Sequence, residues 1–174
     1  MQFKEKTVKE RILFNGKILN LRRDEVVLPN GKTAEREVVE HSGGSAILCV
    51  KDGKVLLVKQ FRYAFNEELY EIPAGKLNAG ESPDETAIRE LEEEGGIKAE
   101  KVVKLFDVYA SPGYTNEIIR IYKAEGLTKT KPHLDEDEFL SCSWVSLETA
   151  KEMINSGEIK DAKTIIALLY ALNN

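Results

Sequence analysis

The sequence predicts an α/β protein, a mixed sheet covered by helices as a sandwich, and three observations carry that expectation. The first third of the chain alternates apolar and polar residues with the period of strands. A strongly capped helical segment then opens at Ser82. Further strands and two more capped helices follow it, so strands and helices are interspersed rather than segregated. No repeat or low-complexity segment interrupts the 174 residues, a length that suits one domain with at most a small appendage.

Taken in order, residues 17–28 read as a strand, Pro29-Asn30-Gly31 as a turn, and residues 32–40 as the antiparallel partner. After a break at 42–45, residues 46–50 and 55–60 read as a hairpin about Asp52-Gly53, a type I′ sequence. A shorter strand near 69–72 leads into Pro73-Ala74-Gly75. Ser82 is the expected N-cap, with Pro83 at the first helical position and Glu85 placed for a capping box. That helix should run to about Glu94, where Gly95-Gly96 stops it. Strands are expected near 101–109, 117–124 and 139–145. Ser146 then caps a helix to about Asn155, and Asp161 caps a last one over 162–172. Ile165, Ile166, Leu168, Leu169 and Leu172 cover most of its circumference, which places it in the core or an interface.

Composition narrows the function. Apolar residues make up 42% and charged residues 32%, a globular balance, and 25 basic against 30 acidic side chains leave a net charge of −5. Mild acidity argues against non-specific nucleic-acid binding. No apolar run approaches the ~18 residues of a membrane span, and the polar first eleven residues are not those of a signal peptide. Cys49 and Cys142 are expected as two buried, reduced thiols, as in a cytoplasmic protein.

The helix from Ser82 carries the chemistry. Ala87, Ile88 and Leu91 form the stripe that seats it, while Glu90, Glu93 and Glu94 fall at i, i+3 and i+4 on one side. A solvated acidic face is the bland explanation. Against it, these acids occupy the C-terminal end, where the helix dipole disfavours anions. A divalent cation would convert their repulsion into coordination, and oxygen ligands suit Mg²⁺ or Mn²⁺. The loop from Gly75 to Glu81 brings the backbone at Ala74 and Gly75 towards the helix, where a carbonyl could complete a metal shell.

Gly75, Glu81, Arg89-Glu90-Leu91, Glu93-Glu94 and Gly96-Ile97 match the box GX5EX7REUXEEXGU, with U apolar, at every specified position over 23 residues. The chain therefore resembles the Nudix hydrolases, which cleave a nucleoside diphosphate linked to another moiety. The resemblance implies an α/β/α sandwich in which Glu90 and Glu94 are the principal Mg²⁺ ligands (Mn²⁺ being an alternative), with Glu93 beside them and the Ala74 carbonyl contributing. It implies more than one ion per site, and a further carboxylate to take the proton of the attacking water. Arg89 would pair with Glu81 and hold the loop against the helix; its alternative is an i, i+4 pair with Glu93.

Features outside the box resemble the ADP-ribose pyrophosphatase group of that family. Pro112 lies 15 residues past Ile97, where that group carries a proline, and Ser111-Pro112-Gly113 leads through a short polar turn to Glu117. An ordinary turn is the alternative. Lys59-Gln60-Phe61-Arg62 is similar to the group's strand end, with Arg62 a candidate for the diphosphate. Residues 134–139 resemble an acidic loop that delivers the catalytic base: by position Glu136 is the proton acceptor and Glu138 an added metal ligand. A slip of one residue would exchange these roles among Asp135, Glu136, Asp137 and Glu138, and a solvated acidic loop is the plain alternative. Arg36 matches a substrate-contacting arginine, or else makes a cross-strand ion pair. Residues 1–40 form an antiparallel β extension to a Nudix domain over 41–174. By resemblance the extension exchanges between the subunits of a homodimer and helps form the adenine pocket, where Ile18 or a nearby apolar residue flanks the base. The implied reaction is Mg²⁺-dependent hydrolysis of ADP-ribose to AMP and ribose 5-phosphate. The rivals are a Nudix enzyme for another nucleotide sugar or dinucleotide, and a non-catalytic ADP-ribose-binding module.

Overall fold

The structure, a computed structural model, describes residues 3–134 and 138–174. The chain forms two compact units, Met1–Gly43 with Tyr109–Ile118, and Gly44–Val108 with Ile119–Asn174.

The first unit is an antiparallel sheet of β1 (Lys6–Asn15), β2 (Leu19–Val27) and β3 (Thr33–His41), in that order. Gly31 takes φ +81° at the β2–β3 turn, as the turn residues require. β1 has no counterpart among the expected strands. Its register against β2 shifts between Thr7 and Lys9 and again between Ile12 and Phe14, so no period of two survives in its sequence. The segment 109–118 joins this unit through β3: the Val39 N–H donates to the Tyr114 carbonyl at 2.7 Å, and the Asn116 N–H to the Val39 carbonyl at 3.2 Å.

The second unit contains two four-stranded sheets. One has the order β8 (Ala74–Lys76), β4 (Gly44–Leu48), β10 (Ile118–Lys129), β9 (Ile97–Tyr109); the other runs β11 (Leu140–Ser146), β6 (Lys54–Arg62), β5 (Val50–Lys51), with β7 (Glu67–Glu71) also on β6. The first is mixed, since β4 runs parallel to β10 and antiparallel to β8. Alternate residues serve opposite faces. Ile47, Leu56, Ile97 and Tyr122 pack with Ala87 and Leu91 of α1 (Pro83–Glu93). Ala46, Leu48, Val55, Leu57 and Ile121 pack with Ala150 and Met153 of α2 (Leu147–Ser156) and Ala167 and Leu168 of α3 (Ala162–Leu172). Helices thus cover both faces, giving the α/β/α sandwich.

Three local expectations change. The hairpin expected over 46–60 pairs only through β5, as Val50 with Val55 and Lys51 with Lys54; Asp52 and Gly53 do take φ +50° and +72°. The chain changes sheets at Cys49, because β4 finds its partners in β8 and β10. Cys142 is exposed rather than buried, since β11 is the edge of its sheet, while Cys49 is buried; both thiols are free. α3 buries Ala167 and Leu168 but leaves Leu169 48% exposed, so its apolar girdle is only partly covered.

The helix caps follow their sequences. The Glu85 carboxylate accepts from the Ser82 N–H at 2.8 Å, Ser146 Oγ from the Thr149 N–H at 3.0 Å, and the Asp161 carboxylate from the Thr164 N–H at 3.0 Å. Among the described residues no helix is long and apolar enough to cross a membrane.

Candidate active site

The site is built where β8 meets the far end of α1. Thr86, Ala87 and Leu91 are fully buried and seat the helix, which turns Glu90 and Glu94 inward to 6% and 3% exposure. Glu92 faces the other way and pairs with Lys98 at 3.1 Å. The Ala74 N–H donates to Glu94 Oε2 at 3.0 Å, tying β8 to the last turn of the helix.

Arg89 organises the remaining acids. Its Nε and Nη2 donate to the two Glu81 oxygens at 2.7 and 3.1 Å, and Nη1 donates to both Glu90 Oε1 and Glu93 Oε2 at 2.7 Å. The loop-holding contact and the i, i+4 contact therefore coexist. Hydrogen bonding from Arg89 pulls the Glu81 carboxyl down to about 2 against the effect of burial, with the Asn78 N–H assisting.

The two inward acids both shift the opposite way to Glu81. Burial pushes Glu90 up to about 7; Arg89 opposes the shift, while Glu93 and Glu138 add to it. Burial, then repulsion from Glu90, pushes Glu94 up to about 8 against the Ala74 N–H, and Glu138 and Glu71 add further. Buried carboxylates with raised affinity for protons are groups whose ionised form needs a cation.

Among the described residues no three His, Cys, Asp or Glu side chains gather as a ready-made metal cage. Mg²⁺ does not require one. It keeps several waters and is held by one or two carboxylates plus the phosphates of a substrate, and the buried pair of Glu90 and Glu94 fits that donor set. Gly75 leaves the room: a Cβ there would stand 1.6 Å from Glu90 Oε1.

Other candidates fall into separate groups. Ile18, Arg36, Pro112, Gly113 and Glu117 all belong to the first unit. Ile18 is exposed, and Arg36 binds the Glu5 carboxylate through Nε and Nη2 at 2.9 and 2.6 Å. Pro112 and Gly113 lie in a turn closed by the Tyr114 and Thr115 N–H groups on the Ser111 carbonyl, and Glu117 lies 3.3 Å from His41 Nδ1. Glu136, with Asp135 and Asp137, lies outside the described residues. Glu138 is described, and its charge reaches Glu90 and Glu94.

Arg62 lies in the second unit and engages Glu71, which in turn binds Lys163; sequence reading gave neither a role. Its Nε and Nη2 bind the two oxygens of Glu71 at 2.6 and 2.7 Å, and Lys163 Nζ also reaches Glu71 Oε2 at 2.5 Å. The available signal was a lone lysine among the apolar residues of α3, two residues past its Asp161 cap.

Known proteins resemble the chain over most of its length. The NUDIX domain model matches residues 39–168, and that of the nucleoside diphosphate sugar hydrolase N-terminal domain matches residues 5–39. An ADP-ribose pyrophosphatase of Bacillus subtilis (strain 168) is 47% identical over 169 residues, covering 95% of this chain and 91% of that protein. A methanol dehydrogenase activator of Bacillus methanolicus is 43% identical over 171 residues, covering 97% of this chain and 92% of that protein. In fold, the chain is similar to a crystal structure of ADP compounds hydrolase, with a TM-score of 0.86 at 20% identity over 98% of this chain and 93% of that one. With an unbroken acidic box on α1 and a family match over most of its length, the chain belongs to the NUDIX family.

Proposed function

We propose that this protein is a divalent-metal-dependent ADP-ribose pyrophosphatase that releases AMP and ribose 5-phosphate. The observation that carries the reading is the buried Glu90–Glu94 pair, fastened to β8 and flanked by Arg89, in a chain 47% identical to a relative bearing that name. Glu90 and Glu94, with the Ala74 carbonyl and Glu138, would hold Mg²⁺ or Mn²⁺, in more than one ion per site, which neutralises diphosphate charge and acidifies water.

The chain's own groups supply the rest. Arg89 and Glu81 hold the 75–81 loop against α1 and fix the carboxylate that Glu90 presents. Arg62 offers donors to the diphosphate, and Arg36, Pro112, Gly113 and Glu117 contact the substrate. Glu136 accepts the proton of the attacking water, with Glu93 as the alternative base. The extension over residues 1–40 exchanges within a homodimer, and Ile18 flanks the adenine. The free thiols of Cys49 and Cys142 suit a reducing compartment, the cytoplasm.

A panel of ADP-ribose, other nucleotide sugars, dinucleoside polyphosphates and NADH, assayed with Mg²⁺, tests the assignment. ADP-ribose should give the highest kcat/KM. A higher value for another substrate transfers the assignment to that compound, and binding without turnover supports the non-catalytic module. The Bacillus methanolicus relative favours a second reading, activation of a dehydrogenase, which is tested by adding the protein to a methanol dehydrogenase assay.

A further inference from the structure

Arg62 ends β6, and Glu71 ends β7 in register with Val58, so the arginine side chain reaches back along its strand to meet the carboxylate. The contact is a two-point fork, Nε and Nη2 on the two oxygens at 2.6 and 2.7 Å. Glu71 is 2% exposed, whereas the Arg62 side chain is 40% exposed and lines a cavity of about 390 Å³ with Tyr63, Phe65, Asp161 and Lys163.

The carboxylate is anchored from behind. Lys163 Nζ binds Glu71 Oε2 at 2.5 Å and Asp161 Oδ1 at 3.0 Å. Asp161 caps α3 on the Thr164 N–H, and Thr164 Oγ1 accepts from the N–H of Ile72, the residue after Glu71. One helix terminus therefore fixes both the side chain of Glu71 and the strand that bears it. Burial would push the Glu71 carboxyl up, but hydrogen bonding from Arg62 and the charge of Lys163 hold it below its ordinary value, so it stays ionised.

Arg62 and Lys163 are balanced by Glu71 and Asp161, so this cluster brings no net charge to an anion. Its value is direction. A guanidinium has five N–H donors, and two are committed to Glu71, which leaves three aimed by the fork.

We propose that Glu71, held by Lys163, is a positioning residue that orients the free donors of Arg62 toward an anionic group of the substrate. This rests on the proposed role of Arg62 at the diphosphate. It follows that Arg62→Lys, which keeps the charge and loses the fork, should raise KM nearly as much as Arg62→Ala. Glu71→Gln should raise KM roughly tenfold with kcat changed less than about threefold, the signature of lost ground-state binding.

The decisive experiment combines a double-mutant cycle with nuclear magnetic resonance of the substrate-free protein. In the Arg62→Ala background, Glu71→Gln should change KM less than about twofold, because no guanidinium remains to orient. The Arg62 Nε–H signal should be slow to exchange in the wild type and lost in Glu71→Gln. Lys163→Met, which leaves the fork formed, covers the case in which Glu71→Gln does not fold. It should speed exchange of that signal and raise KM, and Lys163→Arg should restore both. A KM effect of Glu71→Gln that persists undiminished without Arg62 overturns the proposal, as does an Nε–H signal indifferent to Glu71 and Lys163. If the signal depends on both residues but no substrate of the panel is turned over, the functional reading fails, and with it the positioning role, while the fork itself stands.

Discussion

Gly75 and Glu90 stand so close that a Cβ on the glycine would lie 1.6 Å from Glu90 Oε1 and 2.1 Å from its carboxyl carbon. Gly75 does not take a positive φ, so alanine strains no backbone there. What must yield is the far end of the Glu90 side chain. Gly75→Ala should therefore keep its melting temperature within a few degrees of wild type and lose most of its activity. Equal loss of stability and activity would show that the glycine serves the fold instead.

Glu94→Gln separates chemistry from stability in the same way. As a proposed principal ligand, Glu94 should be worth at least ~100-fold in kcat. Its folded pKa of about 8 and that of Glu90, about 7, lie above the ordinary carboxyl value of 4.5. Groups raised in this direction contribute stability that is complete below pH 4.5 and lost as pH rises through 7 and 8. Metal-free wild type should thus lose melting temperature between pH 5 and 8.5. Glu81, held down to about 2, loses its contribution only at much lower pH. The Gln variant should flatten the slope, and Mg²⁺ should reverse it in wild type. Calorimetry across that pH range checks all three, and a flat profile for metal-free wild type would contradict the picture.

Glu136→Gln and Glu138→Gln should fail differently. Loss of a general base costs ~10²–10⁴-fold in kcat, with little effect on metal affinity in the free enzyme. Glu138, whose charge reaches Glu90 and Glu94, should lose activity that added Mg²⁺ partly restores. Magnesium titrations on the two variants distinguish them, and full activity in Glu136→Gln would move the base to a neighbouring acid.

The N-terminal sheet presents β1 as an edge strand with Val8, Ile12 and Phe14 more than half exposed. Sedimentation should find a dimer at micromolar concentration. Ile12→Lys should shift it towards monomer and lower activity, because residues 1–40 are proposed to complete the partner's site. A monomeric wild type, or a fully active monomeric variant, would contradict the exchange.

Legibility in the sequence followed locality. The caps at Ser82, Ser146 and Asp161 and the Asp52-Gly53 turn are defined by residues within a few positions of one another, and the box by fixed spacings within 23 consecutive residues, so spacing alone reveals them. β1 escaped because its two register shifts erase alternation. The change of sheet at Cys49 escaped because Ala46 pairs with Ile121 and Ala74, partners far away in the chain. The Glu71–Lys163 contact escaped because its partners lie 92 residues apart, and only packing shows that both are buried against each other. Cys142 reads as a buried residue in an alternating stretch, and its exposure depends on β11 being an edge.

The most direct test follows phosphorus resonances of ADP-ribose incubated with the protein, with Mg²⁺ and with chelator. The account predicts that with Mg²⁺ the diphosphate signals decay into two monoester signals of equal area, those of AMP and ribose 5-phosphate, and that chelator stops the reaction. Persistence of the diphosphate with Mg²⁺ present, or equal hydrolysis with chelator, would contradict it.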